Sequence, residues 1–490
     1  MLQARQLLEL IDHLIQAEHI YLMGKKFKKS VLWLRRDLRL QDNMAAAKAS
    51  KESDSVQVVF CFDQNIISKL KKEDKRITFI HGALEELNNE INKLGGELVI
   101  LYGDPKTEII NFFSEGKFDA LYFNEDYEPY ALRRDNHIKK SLGQKAFSFT
   151  DQVIFHPATV RKKDGTPYKV FTPFKNAWLE VLETDRTVLD IKKISSSHWL
   201  GKSENFKFSE KNWFKTLEFQ KQDLPIATGR KAALEILKSF KKRVRTYEET
   251  RNFLEVNSTS GLSPYIRHGL VGIREIIKGT MSDNQFLSST FLSELIWREF
   301  YQMILFSFPQ VEKASFKPQY DKINWHNGKK ELEAWKTGMT GFPIVDAAMR
   351  CLNETGLMPN RLRMVTASFL CKTLLVDWRK GERYFAEKLL DFDLASNSGG
   401  WQWSSSSGCD SQPYFRIFNP TAQSERYDPE GKFIKKWCPE LAPLSKKDVH
   451  EPYKVGPLIL ESMGVTYPEP VVSYKSNRIK ALNMYKEAVK

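Results

Sequence analysis

The chain has 490 residues, 41% hydrophobic and 28% charged, which excludes a disordered polypeptide and exceeds what one compact core usually holds. Its 75 Lys and Arg stand against 61 Asp and Glu, a net charge of +14. That balance disfavours an enzyme confined to small neutral metabolites and favours a polyanionic partner, most simply nucleic acid.

Residues 1–22, MLQARQLLELIDHLIQAEHIYL, are helical in period but carry Arg5, Glu9, Asp12 and Glu18, which rules out a secretory signal. They precede Met23-Gly-Lys-Lys, so residues 1–23 read either as a docked helical extension or as the product of a misassigned start. Residues 24–156 alternate between two periods. The apolar runs 30–34, 56–62, 97–103, 119–123 and 146–150 read as strands, with helical patterns at 77–94 and 104–115 between them. Unbroken apolar runs suit strands covered on both faces, so this part reads as a Rossmann-like α/β domain with a parallel sheet. No GxGxxG follows the first strand, which argues against an ordinary dinucleotide site there.

Residues 157–228 lose the rhythm and carry Pro157, Gly165, Pro167 and Pro173, the composition of a long, partly ordered connector. From 229 to 490 strand patterns nearly vanish and the chain reads as an all-α domain. Cys61, Cys351, Cys371, Cys409 and Cys438 form no CxxC and no zinc spacing, so no metal is expected. They read as reduced thiols of a cytoplasmic protein. No stretch is long enough to cross a membrane.

Several features point to chemistry. Seven of the 11 Trp lie between 297 and 437. Core packing is the simpler reading for any one of them, but Trp401-Gln-Trp403 sits among SNSGG and SSSSGCD, with little apolar volume nearby. Such indoles suit a planar ligand or a flipped base. Thr259-Ser260-Gly261-Leu262-Ser263-Pro264 precedes a helical pattern, either a plain N-cap or a phosphate cradle. Glu294, Trp297, Arg298 and Tyr301 share one helical face, as do Asn360, Arg363 and Met364. Asp391, Asp393 and Asn397 lie beside the Gly-rich loop with no His nearby, which suits pairing with Arg better than metal binding.

The blocks LWLRRDLRLQDN, TSGLSPYIRHG, ELIWREFY, NRLRM, DWRKGERYF, SNSGGWQW and PYFRIFNP occur in that order from residue 32 to residue 420. The chain therefore resembles the photolyase/cryptochrome family, most of all bacterial class I cyclobutane pyrimidine dimer photolyases. The resemblance implies FAD held by the helical domain 229–490, with an α/β antenna domain ahead of it. It implies FAD contacts at Tyr247, Thr259, Ser260, Leu262, Ser263, Glu294, Arg298, Asn360, Arg363, Asp391, Asp393 and Asn397. It places substrate DNA at Arg251, Glu294, Trp297, Asn360, Met364 and Trp403, and the charge of +14 fits phosphate contacts along a groove, with Arg251, Arg361 and Arg416 as candidates. Trp401, Trp378 and Trp325 match the family's electron relay. Glu294 and Asn397 match residues at the reacting centre. Glu128 and Lys313 fall where some relatives bind a methenyltetrahydrofolate antenna. Leu357, Pro359 and Phe291 depart from the usual Trp, His and Trp. The implied activity is light-driven repair of pyrimidine dimers in DNA by a monomer. The rival is a cryptochrome-like signalling flavoprotein, disfavoured by Asn397 where plant cryptochromes usually carry Asp.

Overall fold

The computed structural model describes residues 25–201, 213–255, 258–281 and 287–490. The helical extension expected at 1–23 lies outside the described residues. Strands β1 (Phe27–Leu34), β2 (Ser53–Asp63), β3 (Leu98–Gly103), β4 (Ala120–Asn124) and β5 (Ala146–Phe149) are joined by helices α1 (Met44–Glu52), α2 (Lys75–Lys93), α3 (Pro105–Glu115) and α4 (Pro129–Leu142). The strands pair in the order β3-β2-β1-β4-β5, all parallel, as the unalternating apolar runs require. Every residue of β4 is buried. Asn43, Asp74 and Asp104 accept a backbone N–H at the starts of α1, α2 and α3, which fixes where each helix begins.

The described residues of the 157–228 stretch, 157–201 and 213–228, carry more order than its prolines suggest. Helix α5 (Phe171–Thr184) buries Phe171, Phe174, Trp178 and Leu182. Pro173 falls in its first turn, where a missing N–H costs nothing. Strand β6 (His198–Trp199) then pairs with the start of β2.

The rest of the described chain is mainly helical, with α6 (Gly229–Lys241), α7 (Thr290–Ser307), α8 (Pro343–Thr355), α9 (Asn360–Lys372), α10 (Trp378–Lys388), α11 (Leu394–Ser404) and α12 (Tyr474–Ala488) as its main elements. One apolar core runs from Leu32, Val58 and Phe79 of the sheet half to Tyr265, Leu292 and Phe300 of the helical half. Buried charges join the same halves. Arg274 bonds Asp42 at 2.7 Å and also reaches Asp151, which takes Arg39 at 2.6 Å. Glu299 of α7 accepts from Ile154 N at 2.6 Å and from Trp178 Nε1 at 2.7 Å. Removing one partner of such a buried pair costs about 3–5 kcal/mol, so the helical half is held rigidly on the sheet.

Candidate functional site

Helices α7, α9 and α11 converge on a cavity of about 350 Å³. Helical spacing explains its lining. Glu294, Trp297, Arg298 and Tyr301 lie on one face of α7, and Asn360, Arg363, Met364 and Ala367 on one face of α9. Asn397, Gly400, Trp401 and Ser404 do the same on α11. Asp393 caps α11 by accepting Ser396 N at 2.9 Å, which sets the helix start and so aims Asn397 into the cavity. Ser289 caps α7 in the same way.

The glycines are shaped to this packing. A Cβ on Gly399 would lie 2.3 Å from the Tyr301 ring, and one on Gly381 would lie 2.1 Å from the Trp401 ring. A Cβ on Gly400 would meet nothing within 4 Å, so its absence leaves open volume in the wall.

The polar groups are held by specific partners. Arg363 binds Asp391 through Nη2 at 2.7 and 3.0 Å, and its Nε donates to the Met358 carbonyl at 2.8 Å. Asn397 donates both amide hydrogens to Glu382, to the backbone carbonyl at 3.0 Å and to Oε1 at 2.9 Å. That arrangement leaves the Asn397 carbonyl oxygen as the atom the amide can offer a ligand. Burial pushes the Glu382 carboxyl up, although the Asn397 bond opposes it. Burial also acts to raise Asp393, but Arg36 and Arg298 outweigh it and hold that carboxyl below the usual range. Arg298 donates to the Gln152 carbonyl at 2.6 Å, and burial lowers its pKa. It has no carboxylate within ion-pair distance among the described residues, so this cavity-lining cation is available to an electron-rich ligand.

At the mouth, Glu294 pairs with Arg251, whose guanidinium lies 5.7 Å from the Tyr247 ring centre. Trp297 stacks on Phe171 of α5 at 3.8 Å and 9°, and Trp403 shares the same cavity. Deeper, Trp401 packs edge-on against Phe385 at 5.0 Å. Trp401 and Trp378 are each 2% exposed, and both keep a buried Nε1 without a hydrogen-bond partner. Trp325 is half-buried and lies at right angles to Tyr485, 6.0 Å away.

The structure thus brings together Arg251, Glu294, Trp297, Arg298, Asn360, Arg363, Met364, Asp391, Asp393, Asn397, Trp401 and Trp403. It places Tyr247, Thr259, Ser260, Leu262 and Ser263 outside the cavity wall. Leu262 is fully buried in the shared core, and Ser263 opens a helix of only five residues. Arg361 lies over Tyr427 and binds Asn252, while Arg416 is exposed. Glu128 pairs with Arg36 at 2.8 Å and with Arg267 at 3.7 Å, and shares no hydrogen bond or ion pair with Lys313. Phe291 packs on Phe240 and Tyr247, and Pro359 occupies the N-cap position of α9 without a side-chain hydrogen bond.

Three residues here carry no motif of their own. Phe171 sits behind Trp297, Glu382 holds Asn397, and Arg36 reaches from the sheet half to Asp393. Arg36 belongs to the LWLRRDLRLQDN block, and Glu382 to DWRKGERYF, which is the only signal either gives.

Fold and cavity define a class: a parallel α/β half welded to a helical half that encloses a polar, aromatic-walled ligand site. Residues 30–191 match the DNA photolyase family, and residues 291–487 match the FAD binding domain of DNA photolyase. The deoxyribodipyrimidine photo-lyase of Escherichia coli K12 is 38% identical over 479 residues, covering 94% of this chain and 99% of that protein. A bacterial class III photolyase from Agrobacterium tumefaciens superposes with a TM-score of 0.86 at 33% identity, over 95% of this chain and 98% of its own. A Synechocystis cryptochrome gives 0.83 at 26% identity, over 93% and 99%. The chain belongs to the photolyase/cryptochrome family, and its helical half is an FAD-binding domain.

Proposed function

We propose that this protein repairs cyclobutane pyrimidine dimers in DNA, driven by light. The carrying observation is that the expected cofactor and substrate side chains from three helices and the Asp391–Asp393 segment line one cavity. The donor set fits FAD: Arg298, which has no carboxylate within ion-pair distance among the described residues, the Arg363–Asp391 pair, the free carbonyl of Asn397 and the open wall at Gly400. Bound there in reduced form, FAD supplies an electron after absorbing light.

The chain's own residues do the rest. Trp297 and Trp403 form flat apolar walls against a flipped dimer and exclude water from it. Glu294, steered by Arg251, bonds a pyrimidine edge where negative charge develops. Met364 and Asn360 close the side of α9. The two bonds of the four-membered ring break, and no net oxidation or reduction results. Arg361 and Arg416 contact the DNA backbone, consistent with a net charge of +14. Trp401, Trp378 and Trp325 carry electrons inward from the surface when the flavin is oxidised. Thr259, Ser260 and Ser263 take the FAD phosphates, with Tyr247 and Leu262 packed behind.

The sheet half, residues 24–156, serves an antenna, and methenyltetrahydrofolate is its chromophore, held by Glu128 and Lys313. The domain division is 24–156, a connector 157–228, and 229–490. The protein acts as a cytoplasmic monomer; no helix among the described residues is long and apolar enough to cross a membrane. The fold is shared with a cryptochrome, so fold alone does not separate repair from signalling. Asn at 397 and the identity to curated photo-lyases favour repair. Glu294→Gln in the FAD-loaded protein should slow light-dependent dimer loss while leaving FAD content unchanged. Equal repair rates would remove Glu294 from the reacting centre.

A further inference from the structure

We propose that a groove beside Trp325 docks a small anionic one-electron reductant of the enediolate class. The proposal rests on the relay reading above and names the relay's outside partner. The groove is an open concavity of about 860 Å³ formed by the 322–326 segment and α12. Trp325 lines it, and Lys322, Lys480 and Lys490 face it against the single carboxylate side chain Glu487. Asp321, the carboxylate next to Lys322 in sequence, is taken by Arg379. Lys322 and Lys480 have no carboxylate within ion-pair distance among the described residues, and both are exposed.

Trp401 and Trp378 are too buried to meet a soluble donor. Trp325 packs on one side against the core that contains both, and on the other it opens on the groove. An electron entering along these indoles therefore enters here. Once Trp325 has given up one electron inward, its radical cation needs one electron back and no atom transfer. Ascorbate monoanion loses that electron, releases its proton to water and leaves as the ascorbyl radical. Tyr485, the aromatic neighbour of Trp325, is unsuited to the task. Its hydroxyl donates to the Ser405 carbonyl at 2.7 Å, and a carbonyl cannot take the proton a tyrosyl radical must shed. Unpaired lysines around the opening concentrate anions and speed their encounter, an effect that salt weakens.

The test is laser-flash decay of the tryptophan radical in FAD-loaded wild type and in the Lys322→Glu/Lys480→Glu double variant. Ascorbate is compared with a neutral hydroquinone. The second-order rate with ascorbate should fall about tenfold in the variant at low salt, while hydroquinone is unaffected. Iodide and acrylamide quenching of tryptophan fluorescence gives a readout independent of flavin chemistry. The Trp325 share, obtained by difference from Trp325→Phe, should lose iodide quenching in the double variant and keep acrylamide quenching. An ascorbate rate indifferent to the charge reversal overturns the docking site, and weaker DNA binding in that variant would assign the lysines to DNA instead. Undiminished photoreduction in Trp325→Phe is a separate result, which removes the relay and the proposal with it.

Discussion

Asn397→Asp puts a second carboxylate against Glu382. The amide now donates to Glu382 Oε1 at 2.9 Å, inside a site where burial already raises that carboxyl. Two full charges about 3 Å apart repel by about 5.5 kcal/mol at an effective dielectric of about 20. That exceeds what deprotonation near neutral pH can supply, so the pair retains one proton in the folded state. The unfolded chain releases the same proton at about pH 4. The folded pKa is thus raised, and the associated stability is present below about pH 4 and lost as pH rises. The loss is about 1.4 kcal/mol per pH unit, or about 3 kcal/mol between pH 5 and pH 7. The assay is urea unfolding of both proteins across that range, with the wild type subtracting Glu382's own titration. A difference that stays flat from pH 5 to pH 7 would refute the account of this pair. The pair's single negative charge can now sit at position 397, on the cavity side of Glu382, which should destabilise the anionic reduced flavin and lower repair, read by flavin absorption and by dimer loss in the same samples.

Burial lowers the His268 pKa to about 4, and its Nε2–H donates to the Leu390 carbonyl. Its folded pKa is depressed from 6.5, so stability is complete above pH 6.5 and falls as pH drops toward 4, by about 3 kcal/mol; His268→Gln should flatten that acid limb in urea titrations. Trp403→Ala should reduce the preference for dimer-containing over intact DNA by about 1–3 kcal/mol in a binding titration, and all binding should weaken with salt. Trp401→Phe should block photoreduction of oxidised FAD yet leave repair largely intact after chemical reduction, since Phe keeps the packing but resists oxidation.

The strands were legible because two-sided burial leaves unbroken apolar runs such as VQVVFCF. The cavity helices were legible because Glu294–Trp297–Arg298 and Asn360–Arg363–Met364 repeat at helical spacing. Helix α5 was hidden because Pro173 reads as a breaker, although in a first turn it breaks nothing. Glu382 was hidden because its meaning lies in Asn397, on another helix. Arg36 was hidden for the same reason: its partner Asp393 is 357 residues away, and no local period records such a pairing. The Thr259–Ser263 segment shows the converse, a recognisable block whose place relative to the cavity depends on packing around the fully buried Leu262.

Light-dependent repair by the purified, FAD-loaded and chemically reduced protein tests the central claim most directly. DNA carrying a single cyclobutane thymine dimer is illuminated with blue or near-ultraviolet light, with a dark control, and intact and split dimers are separated chromatographically. The account predicts catalytic return of the dimer to two thymines in the light and none in the dark. Stoichiometric reduced FAD with no light-dependent loss of the dimer would contradict it.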